Sequence, residues 1–135
     1  LGVMAAEELE RVVVVDREAA RKLRQFQADV HLDALEFSTV DGDLTDPGTW
    51  VDVEGILEES SAEPVYLLSS QEEVVNLRAA MLLRSRSEGP RVFARCFHRT
   101  RFAESLAGQL SFDLLVFEDV LRDALREHYE GLRAV

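Results

Sequence analysis

The chain has 135 residues, of which 47% are hydrophobic and 30% are charged, and its formal net charge at pH 7 is -11. This length predicts a single domain that buries about two thirds of the surface of its unfolded chain, and the composition is globular rather than disordered. The negative charge argues against non-specific binding to nucleic acid or to anionic membranes, because both require a basic surface. The one cysteine, Cys96, cannot form an intramolecular disulfide, and no apolar run approaches the length of a membrane helix. We therefore expect a cytoplasmic protein with no direct membrane insertion.

The first predicted element is a buried strand. Residues 11–16 read RVVVVD, and a run of β-branched residues is typical of a strand covered on both faces in a parallel sheet. Apolar residues then recur at intervals of three and four, which predicts a long amphipathic helix. They are Ala19, Leu23, Phe26, Val30 and Ala34.

A weaker strand pattern follows at residues 36–40 and ends in a Gly-containing turn at 41–43. Asp46 and Pro47 have the character of an N-cap and a first helical residue, since proline lacks only a donor that a helix start leaves unpaired. A short helix is therefore predicted. Its inward-facing residues are Trp50, Val53 and Ile56.

The second half of the chain continues the alternation. Residues 64–68 and 91–96 have strand patterns, with a helix between them at about 71–84. Ser70 and Glu73 have the spacing of a capping box at the start of that helix. Strands that alternate with helices in this way are typical of parallel sheets with crossover helices.

The chain closes with a helix, a strand and a second helix. Phe102, Leu106 and Leu110 predict the first of these helices, and residues 114–117 predict the strand. The terminal helix has a wide apolar stripe. The stripe consists of Val120, Leu121, Ala124, Leu125, His128 and Leu132. Since no repeat or linker interrupts the pattern, residues 1–135 are predicted to form one α/β domain, a doubly wound and mainly parallel sheet with helices on both faces.

Polar residues follow the predicted strands in four segments. These are VVVVDR at 12–17, DGDLTDP at 41–47, LLSS at 67–70 followed by Asn76-Leu77, and VFAR at 92–95. In this register they resemble the nucleotide-binding lobe of the regulator of K+ conductance family, also described as the potassium-uptake regulatory, NAD-binding domain. The Gly-Asp-x-Thr-Asp-Pro element is the most specific of them, and the resemblance covers roughly residues 11–117.

The resemblance implies a Rossmann-like fold in a cytoplasmic regulatory domain. It implies that the protein forms a homodimer, binds NAD(H) or an adenine nucleotide such as ATP or ADP, and regulates a potassium channel or transporter. In the family a helix after the last strand crosses toward the dimer partner, and residues 119–132 occupy that place. We expect no enzymatic activity.

The resemblance also implies a ligand at the C-terminal strand ends, where open α/β sheets bind their ligands. The implied cofactor-binding residues are Asp16, Arg17, Gly42, Asp43, Ser69, Ser70, Asn76 and Arg95. An acid at the place of Asp16 accepts hydrogen bonds from a ribose, and Gly42 and Asp43 match the part of the site beside the adenine ring. Alternatively, Asp16 and Ser70 cap the helices that follow them, and the Gly-Asp turn needs no ligand.

Basic residues are concentrated in one stretch. Six arginines and one acid lie between Arg84 and Arg101, within a chain of net charge -11. Guanidinium groups match the geometry of phosphate and carboxylate, so this segregation can focus an anion near Arg95, at a strand end. The alternative is that these arginines pair with the acidic surface of the same protein or of a neighbour.

One element of the family is missing from this sequence. The family pattern opens with a strand and a Gly-x-Gly-x-x-Gly turn, whose glycines let the backbone approach ligand phosphates. Here the sequence begins Leu1-Gly2, and residues 3–9 have the character of the helix that normally follows the turn. In the strand order 3-2-1-4-5-6 the missing strand is central, so its neighbours would face a gap. Three explanations stay open: a fragment, strands that close up directly, or pairing supplied by another chain.

Metal binding and catalysis have little support in the sequence. His31, His98 and His128 lie on different predicted elements without companion ligands, and no nucleophile-elbow, phosphate-loop or zinc-protease motif occurs. The alternatives to ligand sensing are a structural assembly domain with a degenerate site, or a Rossmann oxidoreductase or methyltransferase. A receiver domain would need an acid cluster and a late lysine, whereas Lys22 is the only lysine.

Overall fold

The computed structural model describes residues 11–29, 36–60 and 63–133. Within them five strands alternate with five helices, so the protein has an α/β architecture. The chain falls into two compact units, Leu1–Ser61 (unit 1) and Ala62–Val135 (unit 2). The sequence predicted one domain over residues 1–135, and that stays a prediction.

Unit 1 contains two strands and two helices. They are β1 (Arg11–Asp16), α1 (Ala19–Asp29), β2 (Glu36–Asp41) and α2 (Pro47–Leu57). The strands pair in parallel, from Arg11 opposite Glu36 to Asp16 opposite Asp41. The four valines of β1 predict burial on both faces, yet each is only half-buried. Among the described residues β1 has one partner strand, so its second edge has no ladder.

Helix α2 begins where the sequence predicts. The Asp46 carboxylate accepts a hydrogen bond from a backbone N–H two residues on at 2.9 Å, and Pro47 is the first helical residue. The helix buries Trp50 and Val53, each 2% exposed, while Ile56 is half-buried. Trp50 Nε1 donates to a backbone carbonyl at 2.8 Å, which satisfies its one polar group inside the core.

Unit 2 contains three strands and three helices. They are β3 (Val65–Leu68), α3 (Glu73–Arg86), β4 (Arg91–Cys96), α4 (Arg101–Leu110), β5 (Asp113–Val116) and α5 (Phe117–Arg133). The strands are parallel in the order β3-β4-β5. On the central strand Val92, Ala94 and Cys96 are buried, and the residues between them are more exposed. One face of this sheet therefore carries the core of the unit, as expected from the period of two in a strand.

The core of unit 2 also comes from α3 and α4. The buried helical residues are Asn76, Leu77, Ala79, Ala80 and Leu83 on α3 and Ala103 and Ala107 on α4. Small side chains dominate this set, which lets the helices approach the sheet closely. Phe102, one of the residues that predict this helix, is 70% exposed, because Ala103 and Ala107 form the buried face of α4.

Several boundaries differ from the sequence predictions. Helix α3 begins at Glu73 rather than near residue 71, and the strand predicted at 114–117 is Asp113–Val116, with Phe117 opening α5. The predicted capping box does not form, since the N-cap residue is Glu72 and no side chain caps the helix. The predicted helical positions Val30 and Ala34 lie outside the described residues, as do residues 3–9 and the side chain of Leu132.

The five strands form two small parallel sheets, one of two strands and one of three. No ladder joins β1 to β3 in the described part of the chain. Within the described ranges, no helix combines the length and the apolar character needed to cross a membrane.

Candidate functional site

The strand ends of unit 1 bring together four of the predicted ligand residues. Asp16 lies at the end of β1, where one carboxylate oxygen accepts from Glu18 N at 2.9 Å and the other from Lys22 Nζ at 2.8 Å. The hydrogen bond from Lys22 and that from Glu18 N lower the pKa of Asp16. Asp16 therefore holds the turn from β1 into α1. This is the local role that the sequence analysis gave as the alternative to binding a ribose.

Asp43 is the second acid at this edge. Its carboxylate accepts hydrogen bonds from the backbone N–H of Thr45 at 2.9 Å, from the Thr45 hydroxyl at 2.8 Å and from Arg17 at 2.7 Å. These bonds lower the pKa of Asp43 to about 2, with the two bonds from Thr45 as the largest causes and Arg17 next. The carboxylate is ionised at neutral pH, and its partners come from both strand ends.

Gly42 connects the two strand ends without a side chain. Its N–H donates to the Asp16 carbonyl at 3.0 Å, which extends the β1-β2 ladder by one bond. A Cβ atom at this position would lie 2.4 Å from Thr49 Oγ1, closer than real Cβ contacts. Thr49 is 5% exposed, so the turn packs directly onto α2 and requires glycine for space.

The strand ends of unit 2 bring together the other four predicted residues. Asn76 is completely buried and makes three hydrogen bonds to the backbone. Its Oδ1 accepts from Ser70 N at 2.8 Å, and its Nδ2 donates to the carbonyls of Ser70 and Arg95, each at 2.9 Å. Asn76 thus joins the end of β3 to the end of β4, and its hydrogen-bonding capacity is used within the protein.

Arg95 differs from the other candidates in its surroundings. Its guanidinium lies 3.4 Å from the Ser69 hydroxyl, a long hydrogen bond, and 5.8 Å from the centre of the Phe97 ring. Among the described residues no carboxylate lies within ion-pair distance of Arg95. The group therefore keeps donors that a phosphate or carboxylate can accept.

The remaining arginines of the basic stretch have other partners. Arg91 pairs with Asp113 at 3.2 Å, and Arg99 pairs with Glu104 and Asp119 at 3.2 and 2.7 Å. The guanidinium of Arg84 donates to three backbone carbonyls. The alternative expectation is that these arginines pair with the acidic surface of the same protein or of a neighbour, and Arg91 and Arg99 do pair within the protein. Among the described residues Arg95 has no such pair, and its pairing with a neighbour stays a prediction.

The loop after β4 was not singled out in the sequence. The backbone N–H of Phe97 donates to the Glu73 carboxylate, its carbonyl accepts from Glu118 N at 3.3 Å, and its ring lies 5.6 Å from the ring of Phe117. The sequence signal was present: Phe97 stands two residues after Arg95, so the two side chains leave the strand on the same face.

Helix α5 exposes its apolar stripe. Val120, Leu121 and Leu125 are each 49% exposed, and Tyr129 is 63% exposed. Charged residues of both signs flank the stripe, with Arg122 within reach of Glu118 and Asp119 at 3.6 and 3.7 Å. An amphipathic face of this size, left open on a helix, is typical of a surface that packs against a partner.

The described residues include no group of three or more His, Cys, Asp or Glu side chains placed to hold a metal ion. Cys96 is buried, and burial raises the pKa of its thiol, which is the opposite of an activated nucleophile. Comparison with known proteins gives no family: no family model matches the chain, and no curated protein and no solved structure shows significant similarity to it.

Proposed function

We propose that the protein is a non-enzymatic, ligand-responsive regulatory domain that binds an anionic, nucleotide-type ligand and acts through self-association. The observation that carries the proposal is Arg95, an arginine at a strand end with a hydroxyl and a ring beside it and no carboxylate partner among the described residues. In α/β proteins with parallel sheets, ligands bind at this edge. A guanidinium with free donors is suited to a phosphate group there.

The strand end of each unit, taken by itself, carries groups that a nucleotide can bind. In unit 1, Asp16 and Asp43 are ionised carboxylates, which can accept hydrogen bonds from ribose hydroxyls. In unit 2, Arg95 and Ser69 supply donors for phosphate oxygens. The given sequence has no Gly-x-Gly-x-x-Gly turn, so phosphate recognition in this proposal rests on Arg95. The two parallel sheets are compatible with a Rossmann-like fold, in which nucleotides bind at the carboxyl ends of the strands.

The proposed partner for the exposed face of α5 is a second copy of the chain. Beside the stripe, the exposed apolar face of α5 includes Phe117 and Tyr129, so that Phe117, Leu121, Leu125 and Tyr129 recur at intervals of four, all 45% exposed or more. Ridges at intervals of four pack into the grooves of an identical helix, and the charges of both signs on α5 allow opposite charges to pair across the contact. Residues 119–132, expected to form a dimerisation helix, lie within α5.

The resemblance in sequence implies a cytoplasmic domain beside a potassium channel or transporter, and we include that setting in the proposal. Ligand sensing then means that a nucleotide binds with different affinity to two arrangements of the dimer, since a ligand shifts an equilibrium only by its differential affinity. The channel or transporter would respond to the arrangement, not to the ligand itself.

A second candidate function is structural assembly without a ligand. The observation that favours it is the satisfaction of the acids in unit 1, since Asp16 is paired with Lys22, and Asp43 with Arg17 and Thr45. In this case α5 still mediates self-association, and the strand-end polar groups only close turns.

Calorimetric titration of the full chain with NAD+, NADH, ADP and ATP, together with analytical ultracentrifugation, distinguishes the two. Ligand sensing predicts saturable binding of at least one nucleotide by a dimer. Binding of none of the four by a stable dimer favours assembly alone. A chain that stays monomeric at every concentration rejects both.

The self-association surface is tested by Leu125→Glu, which introduces a charge at the middle of the stripe. We expect the dimer dissociation constant to rise by about a hundredfold or more, because an unpaired charge at the centre of an interface is costly. Val74→Glu is the matched control, since Val74 is 67% exposed on α3, away from the stripe. An equal rise of the dimer dissociation constant in both variants would contradict the assignment of α5 as the self-association surface.

A further inference from the structure

Three side chains of unit 2 form a continuous row from the strand end to α5. The Arg95 guanidinium lies 5.8 Å from the centre of the Phe97 ring, and that ring lies 5.6 Å from the Phe117 ring at an interplanar angle of 59°. Both distances fall within the range of cation–π and tilted aromatic contacts. Phe97 is 46% exposed and Phe117 45% exposed, so neither ring is needed to fill the core.

The loop that carries Phe97 is attached to the first turn of α5 by three further contacts. Glu118 N donates to the Phe97 carbonyl at 3.3 Å, His98 Nδ1 lies 3.2 Å from the Glu118 carboxylate, and Arg99 pairs with Asp119 at 2.7 Å. A displacement of this loop therefore reaches the start of α5 directly. The same helix carries the exposed apolar stripe.

We propose that Phe97 is the element that couples ligand occupancy at Arg95 to the position of α5, and hence to self-association. This inference rests on the proposed function. Two groups hold Arg95, each weakly: the Ser69 hydroxyl at 3.4 Å and the Phe97 ring at 5.8 Å. Both distances lie near the outer limit of their kind of interaction. An anion, which forms stronger charge-assisted bonds, draws the guanidinium away from the ring.

Loss of the cation from one face of the Phe97 ring changes what holds that ring against Phe117. The row then has two arrangements, one with the guanidinium stacked and one with it bound to the anion. Coupling requires such a two-state element whose equilibrium both sites bias. Phe97 lies between Arg95, which is assigned to the ligand, and Phe117, the first residue of α5.

The test measures the dimer dissociation constant of the full chain by sedimentation equilibrium, with and without saturating ADP, in three proteins. In the wild type we expect ADP to shift this constant by about fivefold or more. In Phe97→Ala we expect ADP affinity and ADP-free dimerisation to stay within about twofold of wild type while the shift disappears. Phe102→Ala is the matched control, because Phe102 is 70% exposed and takes part in no ring contact in the described part of the chain; it should keep the shift.

The inference is overturned if Phe97→Ala retains the wild-type shift, if Phe102→Ala loses it as well, or if ADP binds the wild type without any shift. Loss of ADP binding or of dimerisation in Phe97→Ala also overturns it, since Phe97 would then belong to one of the two sites. Phe97→Leu, which keeps an apolar side chain but removes the ring, should lose the shift too. If the wild type binds none of NAD+, NADH, ADP and ATP, or forms no dimer, the proposed function itself fails, and the coupling fails with it.

Discussion

The two units use the polar residues at their strand ends in different ways. In unit 1 the acids at the ends of β1 and β2 are paired within the unit, Asp16 with Lys22 and Asp43 with Arg17. In unit 2 the buried amide of Asn76 joins the ends of β3 and β4, and the nearby Arg95 has no acidic partner among the described residues. Polar groups at the carboxyl edge of a parallel sheet therefore have two roles. Some form the hydrogen bonds that close turns, and others stay available for a ligand.

The difference follows from where the partners lie along the chain. Lys22 is six residues from Asp16, one turn into the helix that Asp16 begins, so that pair forms almost locally. Arg95 is the penultimate residue of β4, and in the loop after this strand Arg99 pairs with Glu104 and Asp119. The acids nearby are thus already paired, which leaves Arg95 with a hydroxyl and a ring.

The largest expected effect is on stability, from Asn76→Leu. The variant removes the side-chain partner of Ser70 N and of the Ser70 and Arg95 carbonyls, so the free energy of unfolding should fall by about 3 kcal/mol, measured by urea denaturation. Gln109→Leu is the control, an exposed amide on α4 whose side chain makes one hydrogen bond within the described ranges, to Ser105 at 3.5 Å. A loss below about 1 kcal/mol would show that Asn76 does not hold the two strand ends together.

Gly42→Ala tests the corresponding turn in unit 1. The added Cβ would lie 2.4 Å from Thr49 Oγ1, and a buried β-branched side chain has little freedom to move aside, so we expect a loss of about 2 kcal/mol in unfolding free energy. Gly55→Ala, on α2 with no heavy atom within 4 Å of the new Cβ, should instead gain about 0.5–1 kcal/mol from helix propensity.

Thr49→Ala removes the two atoms nearest to that Cβ. The loss of unfolding free energy in the double variant, Gly42→Ala with Thr49→Ala, should therefore be smaller than the sum of the losses in the two single variants, as expected for residues in direct contact. If the two losses of unfolding free energy simply added, the clash of the new Cβ atom would be relieved by a group other than Thr49.

Arg95→Gln tests whether Arg95 binds the ligand. We expect nucleotide affinity in calorimetry to fall by about tenfold or more, because a charge-assisted bond to phosphate is lost, while the urea midpoint stays unchanged. Arg91→Gln, on the same strand but paired with Asp113, should leave affinity unchanged. Similar losses in both variants would indicate a general charge effect rather than a site.

The smallest expected effect is on the pH dependence of stability. The pKa of Asp43 is about 2 in the folded protein, below the value of about 3.9 for an unfolded chain. The ionised carboxylate therefore stabilises the fold above pH ~4, and this contribution is lost as the pH falls from ~4 toward ~2. In Asp43→Asn the urea midpoint should decline less steeply across this interval, and Thr45→Val should lie between it and wild type. If the urea midpoint declined equally steeply with pH in all three proteins, the lowered pKa would not belong to Asp43.

Much of the local architecture was predictable. The strands at 11–16 and 91–96 and the helix start at Asp46-Pro47 lie where the sequence placed them, because β-branched runs and caps act through neighbouring residues. The capping box at Ser70 and Glu73 was not, since Asn76 takes the Ser70 N–H and Glu73 binds the backbone of Phe97, 24 residues away. Competing partners from distant parts of the chain are invisible to a local pattern.

By itself the sequence determined the alternation of strands and helices, the candidate residues at each strand end and the amphipathic terminal helix, all of which depend on periodicity and on short-range backbone chemistry. The tertiary structure decided which of those candidates are paired within their unit and which are not. Pairs such as Arg17 with Asp43 and Asn76 with Arg95 bring together residues 26 and 19 positions apart. Which polar group is used to close a turn, and which keeps its donors for a ligand, depends on those long-range contacts.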